Sequence, residues 1–119
     1  MHKRGKIMNK KISLIGAIVA GAFLAGVAQS ALADEAAIAA GEKLYKRERC
    51  ETCHGGNLQG SAAFPNLLTS PKTADKAAFS QIVLEGKGAM PSFKANEKVS
   101  KGIEELYAFV SSKRAAAPK

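Results

Sequence analysis

Cys50, Glu51, Thr52, Cys53 and His54 put two thiols three positions apart with an imidazole directly behind the second. Thiols at this spacing can each add to a vinyl group of one haem, and the adjoining imidazole is then placed to ligate the iron from one face. Other chemistries that use paired cysteines fit less well. A thioredoxin-like redox pair wants a strand before it and a parallel sheet around it, whereas the residues before Cys50 read as helix. A structural disulfide leaves His54 and a thin core unexplained. A zinc site needs about four ligands, and only Cys50, Cys53 and His54 cluster here. The chain of 119 residues has no third cysteine, and its one other histidine is His2.

The start of the chain bears on where this chemistry takes place. Lys3, Arg4, Lys6, Lys10 and Lys11 stand without an acid among them, and Ile12 to Ala28 follow as an uncharged apolar run. The run leads into Gln29-Ser30-Ala31-Leu32-Ala33, whose small residues at 31 and 33 suit signal-peptidase recognition. Residues 1–33 are therefore expected to be a cleaved signal peptide, leaving residues 34–119 as one exported, periplasmic domain. The alternative is a retained anchor, since seventeen apolar residues approach the lower limit for a membrane span. Cleavage also changes the charge: the precursor carries +8, but residues 34–119 hold 13 Lys and Arg against 10 Asp and Glu, a net of +3. The basic excess thus sits mostly in the leader and does not indicate nucleic-acid binding. No lasting membrane insertion is expected after cleavage.

Within residues 34–119, His54 is the only histidine and Met90 the only methionine. Met90 lies between a glycine-rich turn and Pro91, where packing alone gives little reason for it. His54 and Met90 are accordingly the expected axial ligands of the iron; Lys87 or Lys94, or an open sixth position, are the competing arrangements. A domain of 86 residues with no tryptophan builds a thin core, so a covalently attached haem c, one per chain, is expected to complete it.

Three helices must position these groups. Glu35 to about Arg49 carries Ile38, Leu44 and Tyr45 at helical spacing and is expected to run into the cysteine pair, with Gly41 allowing another helix to cross closely. Gly55 to Ser61 read as an irregular loop, and Phe64 to Leu68 give it an apolar segment able to pack on the haem. A second helix is expected over about Ala74 to Leu84, with Thr73 as N-cap and Ala78, Phe79, Ile82 and Val83 facing inward. The turn Glu85 to Ala89 then delivers Met90. A third helix is expected from Ser100, its N-cap, to Ser112, with Ile103, Leu106, Tyr107 and Val110 forming one apolar stripe. Ala115 to Lys119 read as a short, frayed tail, and no strand is required.

Taken together, Ala40-Gly41 with Tyr45, Cys50 to Gly55, Pro65 with Leu67, Gly86 to Phe93 and Leu106 with Phe109 resemble the small class I c-type cytochromes of the bacterial periplasm. The resemblance covers essentially all of residues 34–119 and implies an all-α class I cytochrome c fold with about three main helices around one haem. It implies that the first and last helices cross near Gly41 and Tyr45, against Leu106 and Phe109. It further implies that the Pro65 carbonyl accepts the proton of the haem-ligating imidazole and that Leu67 covers the haem face. Phe64 stands where many relatives carry glycine, the stretch after Leu68 is shorter than in longer members, and Lys101-Gly102 replace an acidic start to the last helix.

A closed His54/Met90 shell leaves no site for oxygen or peroxide, and so implies a one-electron carrier with no catalytic residues of its own. Its docking is expected to be weak and rapid, at a haem edge near Cys53, Ala62 and Ala89. Compatible partners are a bc1-type complex, a terminal oxidase, or a quinoprotein alcohol dehydrogenase. A permanently bound haem subunit, and an open-site haem sensor or enzyme, are the readings from other functional classes.

Overall fold

The computed structural model describes residue 32 and residues 34–119. The basic and apolar stretches of the expected signal peptide, and its cleavage point at Ala33, lie outside the described residues. Helix α1 occupies residues 34–47 and ends in a tight reversal before the cysteines. There the Cys50 amide donates to the Tyr45 carbonyl (3.0 Å) and the Arg49 amide to the Lys46 carbonyl (3.2 Å), with Arg49 at φ 58°. This is the Schellman pattern, in which one residue turns left-handed to satisfy the last carbonyls of a helix. The first helix therefore stops short of the cysteine pair instead of running into it. A separate short helix, α2 (Glu51–His54), carries Cys53 and His54, with Cys50 as its N-cap.

The loop after α2 turns on two residues with positive φ. Leu58 sits at φ 63° with its side chain fully buried, and its carbonyl accepts from the Leu67 amide at 2.9 Å. Gly60 is at φ 64°, and a Cβ there would stand 2.5 Å from the carbonyl oxygens of both Phe64 and Pro65. Those carbonyls can pass this close only because glycine has no side chain.

A single 3-10 turn (Pro71–Thr73) precedes α3 (Lys76–Glu85). Asp75, not Thr73, is the N-cap: its carboxylate accepts from the Ala78 amide at 2.7 Å. Thr73 is buried, and its hydroxyl is directed to the carbonyls of Leu67 (2.6 Å) and Ser70 (2.8 Å). A short polar residue before an apolar run is an N-cap signal, and here two such residues compete. Phe79 and Val83 of α3 are buried and Ala78 and Ile82 half-buried, as the apolar spacing predicts.

The expected third helix is two helices. α4 (Glu97–Lys101) is capped by Asn96, whose side chain accepts from the amides of Lys98 and Val99, so Ser100 is interior to α4 rather than a cap. α5 (Ile103–Ala116) continues past Ser112 into the tail that reads as frayed. The break falls at Gly102, where a Cβ would meet the Leu44 side chain of α1 at 2.7 Å and the Lys98 carbonyl at 2.8 Å. Gly102 thus lets Leu44 press against the α4–α5 junction.

α1 and α5 cross at Gly41, where an added Cβ would lie 1.9 Å from the Glu105 carbonyl oxygen and 2.8 Å from Cβ of Phe109. Beside the crossing, the rings of Tyr45 and Phe109 are tilted by 53° with centroids 5.5 Å apart. The buried core comprises Leu44, Tyr45, Leu58, Phe79, Val83, Val99, Leu106, Phe109 and Val110. Ile103 and Tyr107 of the expected stripe are half-buried, and the Tyr107 hydroxyl donates to the Ala74 carbonyl at 3.3 Å. Among the described residues there is no strand, only an isolated bridge between Lys87 and Met90, and no helix is long and apolar enough to cross a membrane.

Candidate haem centre

α2 presents the cysteine pair asymmetrically. Cys50 is half-buried and packs on the core, while Cys53 is exposed; both are free thiols. Burial pushes the Cys50 thiol up to about 11. A half-buried thiol beside an exposed one suits covalent attachment of a group that spans the boundary between core and solvent.

His54 Nδ1 lies 3.3 Å from the Pro65 carbonyl oxygen. A carbonyl can only accept, so the ring's proton belongs on Nδ1 and the Nε2 lone pair is left free for a metal. The bond exists because the loop doubles back. The Gly60 amide donates to the His54 carbonyl at 2.7 Å, and the missing Cβ of Gly60 admits the Phe64–Pro65 carbonyls. The fold thus brings the His54 ring and the Pro65 carbonyl together. Leu67 follows two residues later, half-buried and packed against the core.

A separate turn carries Met90. Gly86 caps α3 at φ 77°, and Lys87 and Met90 exchange both backbone hydrogen bonds (3.1 and 3.0 Å) around Gly88 at φ 58°. Positive φ at the first central residue is the hairpin geometry that glycine favours. Beyond Pro91, the Phe93 amide donates to the Val83 carbonyl and the Lys94 amide to the Leu84 carbonyl, both at 3.1 Å. Met90 is thus held between a closed turn and a segment strapped to the last turn of α3. Its side chain is half-buried against the core, as are those of Leu68 and Phe93.

These features fit a haem. The large apolar side chains of Leu67, Leu68, Met90 and Phe93 are only partly covered by protein, so a porphyrin has apolar surface to rest on. Among the described residues, no group of three or more His, Cys, Asp or Glu could hold a metal ion, which leaves a site such as zinc requires unsupported.

Over residues 36–110 the chain matches the family described as cytochrome c oxidase, cbb3-type, subunit III. It is 45% identical over 111 residues to cytochrome c-555 of Methylococcus capsulatus, covering 92% of this chain and 85% of that relative. The chain belongs to the c-type cytochromes. The cytochrome is also 45% identical over 75 residues to the menaquinol:cytochrome c reductase cytochrome c subunit of Bacillus subtilis, covering 61% of this chain and 28% of the relative. The subunit of the same description from Geobacillus thermodenitrificans is 42% identical over 53 residues, 44% of this chain and 20% of the relative. The chain therefore spans less than a third of either reductase subunit. No solved structure gives a significant match. Family membership makes this an all-α electron-transfer protein with covalently bound haem c, rather than an enzyme.

Three residues of the site are missed by the sequence reading. Tyr45, read only as a packing residue, donates its hydroxyl to the Gly55 carbonyl at 2.7 Å. Its burial, with Cys50 and Glu51 nearby, raises its phenol well above the usual range, so it remains a donor at any physiological pH. Leu58 is hidden in a stretch that reads as polar loop. Glu48 accepts from the Asn96 side chain at 2.6 Å, tying the turn before the cysteines to the α4 cap. Helical spacing from Tyr45 could have pointed to its ring, but not to a carbonyl ten residues away.

Proposed function

We propose that this cytochrome is a periplasmic one-electron carrier with one haem, held through Cys50 and Cys53, whose iron takes His54 and Met90 as axial ligands. The observation that carries the reading is the His54 Nδ1–Pro65 carbonyl contact, because it orients the imidazole and frees Nε2 for the iron. The haem supplies a reversible ferric–ferrous couple. His54 and Met90 would hold the iron, and the Pro65 carbonyl would enrich the donor character of His54. Leu67 shields the haem face from water, and methionine ligation favours the ferrous state. The basic and apolar segment at residues 1–33 acts as a cleaved signal for export.

The partner on the reducing side is a bc1-type quinol-oxidising complex, a choice supported by similarity to the menaquinol:cytochrome c reductase subunits. The family match to a cbb3-type oxidase subunit supports a terminal oxidase on the other side. A quinoprotein alcohol dehydrogenase is the competing donor. Similarity to proteins described as reductase subunits supports a second reading in which the domain serves as a haem subunit bound permanently within a complex.

The ferric holoprotein should show a methionine-to-iron charge-transfer band, and the native ferrous form should not bind carbon monoxide rapidly. Rapid binding would sink the closed-shell assignment. Reduction rates measured against quinol-oxidising and quinoprotein donors decide the partner. Co-purification in fixed stoichiometry decides for the permanent subunit.

A further inference from the structure

Tyr45 touches the pentapeptide at both ends. Its backbone carbonyl accepts from the Cys50 amide at 3.0 Å, and its hydroxyl donates to the Gly55 carbonyl at 2.7 Å. Cys50 opens the haem-attachment motif and Gly55 is the C-cap of α2, directly behind His54. One residue, through its backbone at one end and its side chain at the other, thus brackets every residue expected to hold the haem on this side. Tyr45 is itself fixed, being 2% exposed and packed on Phe109 across the helix crossing. The Gly55 carbonyl takes the Tyr45 hydroxyl as the closer of its two donors. Gly55 ends α2 at φ 85° and ψ 155°, leaving the helical conformation directly behind His54. Gly55 also fixes the next turn, since its carbonyl accepts from the Leu58 amide at 3.2 Å. From there the chain reaches Gly60 and then Pro65, the acceptor for His54.

We propose that the Tyr45 hydroxyl is a positioning group for His54: by anchoring the Gly55 carbonyl to the α1–α5 crossing, it holds the imidazole in register with the Pro65 carbonyl. The inference rests on His54 being an iron ligand. Its consequence is electronic as well as structural. An Nδ1–H held on a carbonyl makes imidazole a stronger donor, which stabilises the ferric state. Loosening that bond weakens the donor and raises the reduction potential.

The test uses the holoprotein and its Tyr45→Phe variant, which keeps the ring against Phe109 and removes only the hydroxyl. In the ferrous state the His54 Nδ1–H resonance of the parent is expected to carry a haem ring-current shift. In Tyr45→Phe its exchange with solvent should accelerate about tenfold, the change matching loss of one hydrogen bond of ordinary strength, and the reduction potential should rise. Replacing Phe109 by Leu loosens the packing that fixes the Tyr45 ring, and should accelerate the His54 exchange as well, by less than Tyr45→Phe because the hydroxyl remains. If Tyr45→Phe folds with both exchange and potential unchanged, the proposal is overturned. Should Tyr45→Phe not fold, fluorinated tyrosine at position 45 strengthens the donor instead. The potential should then fall, and an unchanged value overturns the proposal. Absence of any haem shift on the His54 resonance in the parent identifies a different failure, that of His54 ligation itself.

Discussion

Gly41 meets Glu105 backbone to backbone: a Cβ on Gly41 would stand 1.9 Å from the Glu105 carbonyl oxygen. That carbonyl belongs to the hydrogen-bond ladder of α5 and cannot swing aside as a side-chain tip could. The crossing of the first and last helices therefore depends on a position with no side chain, and Tyr45 and Phe109 pack beside it.

Gly41→Ala should consequently force α1 and α5 apart. Overpacking of this kind costs about 1–3 kcal/mol, and the backbone location puts this site at the upper end. Denaturant unfolding of the holoprotein, followed by circular dichroism, measures the loss. A midpoint equal to that of the parent would mean the helices do not cross here.

Much of this arrangement is legible in the sequence because it is local or chemically singular. Cys50, Cys53 and His54 announce their ligand by type and spacing, and Met90 stands out by being alone within residues 34–119. Periodicity places α1, α3 and α5, and turn residues place the Met90 turn. The missing parts depend on long-range partners or on backbone conformations that residue type does not advertise. Arg49 and Leu58 adopt φ values normally associated with glycine. Gly102 falls inside the single helix expected from Ser100 to Ser112, whereas it is the junction of two, with Leu44 of α1 pressed against it. Thr73 reads as a cap, whereas carbonyls six and three residues back and Arg114 claim its hydroxyl.

Met90→Ala should open one face of the iron, because residues 34–119 hold no other methionine. The charge-transfer band should disappear, the ferrous protein should bind carbon monoxide, and the potential should fall with loss of the thioether. An optical spectrum identical to that of the parent would assign the sixth ligand elsewhere, with Lys87 and Lys94 the nearest alternatives.

Arg114 of α5 ties down the loop that carries Leu67. A single guanidinium nitrogen lies 3.0 Å from the Leu68 carbonyl, 2.8 Å from the Ser70 carbonyl and 2.8 Å from the Thr73 hydroxyl. Arg114→Ala leaves these half-buried acceptors without their charged donor, at a cost of about 2–3 kcal/mol in holoprotein stability. Arg114→Lys should recover only part of the loss, since its ammonium sits on a shorter, more flexible stem and is more strongly hydrated. Chemical denaturation of the three proteins side by side checks the order.

Arg49 offers the opposite test, a substitution that should stabilise. It holds the left-handed position of the reversal that ends α1, at φ 58°, while the amides of Arg49 and Cys50 bond back to Lys46 and Tyr45. A residue with a Cβ is strained there by about 1–2 kcal/mol, whereas glycine adopts the conformation freely but loses more chain entropy on folding. Arg49 is exposed and makes no side-chain hydrogen bond or ion pair among the described residues, so its removal forfeits little else. Arg49→Gly should therefore raise holoprotein stability by about 0.5–1 kcal/mol without moving the optical spectrum. Thermal unfolding monitored at the Soret band reads both quantities together; a lowered midpoint would show that Arg49 makes a stabilising contribution that outweighs its backbone strain.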